Sequence, residues 1–72
     1  MITNAVGSRI KEVRLQLNLS QEKLALRAGI DRTFLAGVES GARNISLKSL
    51  DKIISALELT WNDFFKELKY YG

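Results

Sequence analysis

Residues 20–41 read SQEKLALRAGIDRTFLAGVESG, and this stretch predicts two short helices joined by a tight turn. Ser20 is placed to cap the first, because a hydroxyl there accepts from an N–H of the first turn that has no helical partner, and Gln21 and Glu22 follow it. Leu24, Ala25 and Ala28 stand at i, i+1 and i+4, on one helical face. Gly29 closes that helix, since glycine enters the left-handed conformation without a steric penalty. Asp31 caps the second helix, and Gly41 lies just past its end.

The second of these helices has two unlike sides. At about 100° per residue, Phe34, Leu35 and Val38 fall in one apolar sector, which predicts the core side. The opposite side carries Arg32, Thr33, Ala36, Gly37 and Ser40. A solvated face ordinarily carries good helix formers such as Glu, Lys and Gln. Glycine in mid-helix costs about 1 kcal/mol against alanine, and water does not require that sacrifice. A backbone that must approach another surface does. The major groove of DNA is such a surface: it admits a helix, offers acceptors to Arg and presents thymine methyls to small apolar groups. A plain solvated face with an incidental glycine is the alternative at this stage.

The wider sequence carries a resemblance. SRIKEVRLQLNLSQEKLALRAGI (residues 8–30) and FLAGVESG (34–41) resemble the helix-turn-helix of the phage repressor and Cro family. The shared features are the apolar positions, the Gln early in the second helix, the turn glycine and the Glu late in the third. The run IDRTFLAGVESGARNISLKSL (30–50) is similar to one branch, the controller proteins of restriction–modification systems. Asp31-Arg32-Thr33, the aromatic at 34 and Ala42-Arg43-Asn44 carry that similarity. It implies an all-α fold: a compact five-helix, lambda-repressor-like domain with the helix-turn-helix in its second and third helices. It also implies a salt bridge between Arg14 and Glu39, and a dimer contact around the junction of the fourth and fifth helices. The implied function is a homodimer that binds double-stranded operator DNA and both activates and represses its own gene and an endonuclease gene, with RNA polymerase as a further partner. A phage-type repressor or an autoregulating antitoxin is the nearest alternative. A helical protein-interaction module without a DNA role is another.

Composition bounds these readings. Seventy-two residues suffice for one domain over 1–72, with a core small enough that oligomerisation is an expected source of stability. With no Cys and no His there is no disulfide, no thiolate or imidazole ligand and no ordinary triad base. No catalytic constellation stands out, so the chain is read as a non-enzyme without cofactor, metal or small-molecule ligand. It has no apolar run of about 18 residues and no signal pattern, which predicts a cytoplasmic protein away from membranes. The net charge is +3, unevenly spread. Residues 9–52 hold nine Lys/Arg against five Asp/Glu, a balance of +4, and residues 53–72 hold two against three. The basic excess travels with the helix-turn-helix, as in a phosphate-binding module.

Along the rest of the chain, a first helix is expected from about Asn4 to Leu17, capped by Thr3 after a frayed start, with Val6, Ile10, Val13 and Leu17 buried. Asn18 is its left-handed stop, and Leu19 enters the core. Ser46 caps a fourth helix with Leu47, Leu50, Ile53, Ile54 and Leu57 on its apolar face. Thr60 caps a fifth, from Trp61 to about Tyr70, with Asp63 completing a capping-box pattern, Leu59 and Phe64 as a staple, and Phe64, Phe65 and Leu68 inward. Trp61 in a first turn, near Leu57, suggests an apolar patch between subunits. Covering the end of the core is the alternative role for that Trp.

In a major-groove docking, Arg32 is the candidate for a bidentate contact to guanine. Thr33 takes a base or a phosphate. Ala36 touches a thymine methyl, and Gly37 lets the helix seat deeply. Phe34, at the sector's edge, packs on sugar or methyl groups or turns into the core. Gln21, at a helix N-terminus, together with Arg43 and Asn44, holds phosphates. One short helix reads too little sequence, so a two-fold dimer with recognition helices ~34 Å apart on a pseudo-palindrome is expected.

Overall fold

A computed structural model describes residues 1–70. The described residues form five helices: α1 (Ile2–Gln16), α2 (Gln21–Ala28), α3 (Arg32–Ser40), α4 (Leu47–Ala56) and α5 (Trp61–Lys66). Side chains fix the starts of four of them. Ser20, Asp31, Ser46 and Thr60 accept from the backbone N–H of Lys23, Phe34, Ser49 and Asp63, each at 3.1–3.2 Å. Left-handed residues end the first four: Asn18 (φ 57°) after α1, Gly29 (φ 68°) and Gly41 (φ 82°) after α2 and α3, and Glu58 (φ 61°) after α4.

The helices close around one apolar core. Val6, Ile10 and Val13 of α1 meet Leu24, Ala25 and Ala28 of α2 and Leu35 and Val38 of α3. Leu50, Ile53, Ile54 and Leu57 from α4 and its end, with Phe64 of α5, complete it. The packed pairs are α1 on α3, α2 on α3, α2 on α4 and α4 on α5. The α1–α3 contact is close. Gly7 is buried there, and a Cβ built on it would collide with the Val38 carbonyl oxygen and stand 3.1 Å from that of Glu39. Its missing side chain lets the two backbones touch.

Several expectations need correction. The first helix starts at Ile2, and Thr3 lies inside its first turn rather than capping it. Met1 and Ile2 are exposed, while Asn4 packs against the turn at Gly41, where any Cβ would strike it. Leu17 is 42% exposed and Leu47 74%, because each stands at a helix terminus where the apolar stripe runs past its partner. Helix α5 stops at Lys66, well short of Tyr70, and Phe65 is 37% exposed.

Arg9 closes that short helix. Its Nε donates to the Phe64 carbonyl at 2.9 Å and an Nη to that of Asp63 at 3.2 Å, and Glu12 pairs with the other Nη at 2.8 Å. A buried guanidinium thus serves carbonyls that a helix end leaves without backbone partners. No helix among the described residues is long and apolar enough to cross a membrane.

Candidate nucleic-acid interface

Helix α3 is held from beneath by a buried ion pair. Arg14 donates through Nε to Glu39 Oε2 at 2.8 Å and through one Nη to Oε1 at 3.0 Å, a bidentate fork. Its other Nη donates to the Leu19 carbonyl at 2.8 Å. Gln21 Nε2 donates to Glu39 Oε1 at 3.2 Å. Three helices meet at one carboxylate, α1 through Arg14, the start of α2 through Gln21 and the end of α3 through Glu39 itself, and the loop after α1 joins through the Leu19 carbonyl on Arg14. The arrangement fixes how α3 lies against α2. It also neutralises Glu39, a negative charge that would otherwise stand beside any phosphate near α3.

The outer side of α3 remains open. Arg32, Thr33 and Ser40 are exposed, and Ala36 and Gly37 are partly so. Arg32 is tethered lightly, one Nη reaching Gln21 Oε1 at 3.5 Å. Through Gln21 it joins the Glu39–Arg14 pair, so the front cation and the buried lock form one chain of polar contacts. Gln21, read from sequence as a phosphate ligand, therefore has an internal role that the sequence does not announce. Its place in the first turn of α2 still leaves its backbone N–H directed out of the helix start.

The other candidates separate. Arg43 and Asn44 are exposed in the loop after α3. Phe34 is half-buried and packs against the core without turning fully into it. The Arg43 guanidinium lies over that ring, 5.5 Å from its centroid. Gly37 is approached by Arg43 of its own chain, whose stem fills the space a side chain would take. The sequence offers a faint signal for this: a helical glycine six residues before a long cation.

The paired patch of Leu57 and Trp61 does not exist as such. Leu57 is 1% exposed and belongs to the core, since α4 turns its last apolar residue fully onto Phe64 and its neighbours. Trp61 is 37% exposed, stacks on Phe65 at 5.7 Å between centroids, and donates from Nε1 to Asp51 at 2.7 Å. The exposed apolar surface at this junction is thus Trp61 with Phe65.

A family model described as helix-turn-helix matches residues 10–64. The control protein C.MunI of a Mycoplasma species is 36% identical over 64 residues, which cover 88% of this chain and 86% of that protein. The chain belongs to the restriction–modification controller proteins. They form a branch of the helix-turn-helix DNA-binding transcription regulators. Solved controller proteins repeat the five-helix fold. The C.Esp1396I tetramer in complex with its natural 35 base-pair operator superposes with a TM-score of 0.88 at 36% identity, over 92% of this chain and 87% of that one. C.AhdI from Aeromonas hydrophila gives 0.83 at 40% identity, over 88% and 96%.

Proposed function

We propose that this controller-family chain works in the cytoplasm as a homodimer that binds a pseudo-palindromic operator and regulates transcription of its own gene and of an endonuclease gene. One observation carries the reading: the open side of α3 presents Arg32 and Thr33 beside Ala36, while the buried Arg14–Glu39 pair holds that helix in place. A helix that is narrow on one side and rigidly mounted on the other suits the major groove.

In that docking the N-terminal end of α3 leads. Arg32 pairs its guanidinium fork with a guanine edge, which offers two acceptors at the matching spacing. Thr33 donates to a base or phosphate oxygen, and Ala36 meets a thymine methyl. The N–H groups of the first turn of α2, at Gln21, point to a phosphate, with the helix dipole favouring the anion. Arg43 and Asn44 hold the backbone beyond. These phosphate contacts release counterions and set register, while the α3 side chains choose the sequence.

Two-fold pairing doubles the readout. Trp61 and Phe65, stacked and exposed at the α4–α5 junction, are the proposed seat of the dimer contact. The C.Esp1396I tetramer on its operator supports two dimers on adjacent sites. One dimer then activates, with RNA polymerase as its partner, and the second represses. Footprinting the DNA upstream of the gene tests this. Two protected half-sites one helical turn apart are expected at low protein concentration and an adjacent second pair as it rises, and uniform protection without a preferred site would overturn the sequence-specific reading.

A further inference from the structure

Gly37 stands on the outer side of α3, yet its bare α-carbon is already occupied. A Cβ there would collide with Arg43 Cγ and lie 3.3 Å from its Cβ and 3.5 Å from its Cδ. The backbone keeps the stem in place: the N–H groups of Ala42 and Arg43 donate to the Gly37 carbonyl at 2.9 and 3.1 Å. Beyond the stem, Arg43 Cζ sits 5.5 Å from the centre of the Phe34 ring, which is itself wedged against the core. At about 100° per residue, Arg32, Ala36, Ser40 and Thr33 share one arc of α3, Gly37 is its flank and Phe34 its border with the core. Arg43 is laid along that flank rather than left free in the loop.

We propose that Phe34 and Gly37 are positioning residues that serve DNA binding through Arg43. Between them they hold its guanidinium at the edge of the recognition helix, where a phosphate of the groove wall lies, and neither reads a base. The inference rests on the reading of α3 as the helix that enters DNA. A long cation loses rotamer freedom when a phosphate pins it. Seating its stem on Gly37 and its plane on Phe34 moves that loss from the binding step to folding. A guanidinium stacked by its face keeps its N–H edges free for oxygen acceptors. Such a contact strengthens binding without regard to sequence.

A double-mutant cycle separates this from a direct Phe34 contact. Binding is measured by fluorescence anisotropy on a duplex from upstream of the gene and on a scrambled duplex, for wild type, Phe34→Leu, Arg43→Ala and the double variant. Phe34→Leu is expected to weaken both duplexes by the same factor, about two- to fivefold, as for an exposed cation–ring contact. It is expected to have no further effect once Arg43 is Ala, and Phe34→Tyr is expected to retain wild-type affinity for the scrambled duplex. If Phe34→Leu melts below the assay temperature, Phe34→Met, whose unbranched side chain adapts to irregular space, carries the same cycle. A change in the ratio between duplexes, or the same loss with and without Arg43, overturns the inference alone. A wild-type chain that binds neither duplex overturns the DNA reading and this inference with it.

Discussion

Replacing Gly7 with alanine sets two physical rules against each other. Helix propensity alone favours the change by about 1 kcal/mol, since Gly7 lies in the interior of α1. The fold opposes it. The new methyl would enter the space of the Val38 carbonyl oxygen and stand 3.1 Å from that of Glu39. Both are backbone atoms of α3, so neither can turn away as a side chain would. The helices must part by roughly 1 Å to restore ordinary contact. Overpacking of this kind costs about 1–3 kcal/mol. With both obstructions in backbone we place it at the upper end, leaving a net loss of about 1–2 kcal/mol after the propensity gain. For a domain of this size that corresponds to a melting point lower by about 5–15 °C. Thermal unfolding followed by circular dichroism, at one fixed protein concentration, measures it. A Gly7→Ala chain that melts at or above wild type would refute the close α1–α3 crossing.

Three further outcomes follow from the same packing. Glu39→Ala leaves the Arg14 guanidinium buried without its carboxylate and is expected to lower stability by about 3–5 kcal/mol in urea unfolding; a loss under about 1 kcal/mol would make the pair a spectator. Arg9→Met keeps the apolar stem but abandons the Asp63 and Phe64 carbonyls, for a loss of about 1–3 kcal/mol and faster amide exchange confined to α5. Unchanged exchange there would contradict the clamp. Trp61→Ala is expected to weaken the proposed dimer by about 2 kcal/mol, roughly thirtyfold in dissociation constant, with helical content intact. Sedimentation equilibrium reads this directly, and an unaltered dimer would move the interface elsewhere.

The local grammar of this fold is legible in the chain. Ser20, Asp31, Ser46 and Thr60 cap where their residue types place them, and Asn18, Gly29 and Gly41 turn left-handed where a helix must stop. Each depends on neighbours within a few residues. Errors begin where a distant partner decides. Leu17, Leu47 and Phe65 continue apolar stripes correctly, but periodicity does not tell where the covering surface ends. Leu57 is buried as its place on the apolar face of α4 predicts, and only its offering to a second subunit fails. Gly7 and Arg9 escape notice because their reasons lie on α3 and α5, far along the chain. A helix-interior glycine beside Val6 and Ile10 does pose the same question as Gly37: which surface comes that close? For Gly7 the answer is α3, and for Gly37 it is Arg43. The Arg14–Glu39 bridge is implied by family resemblance, and its geometry adds Gln21 and Leu19 as partners that resemblance leaves out.

Whether the open side of α3 chooses DNA sequence is decided at Arg32. The quantity to measure is the ratio of affinities for the upstream operator and a scrambled duplex of equal length, at one salt concentration, for wild type and Arg32→Ala. A lost bidentate guanine contact removes about 1–3 kcal/mol of discrimination, so the ratio should fall roughly five- to 150-fold while the scrambled duplex is bound with little change. Equal weakening on both duplexes, with the ratio preserved, would show Arg32 to be only a cation near phosphate, and sequence choice by this side of α3 would fall.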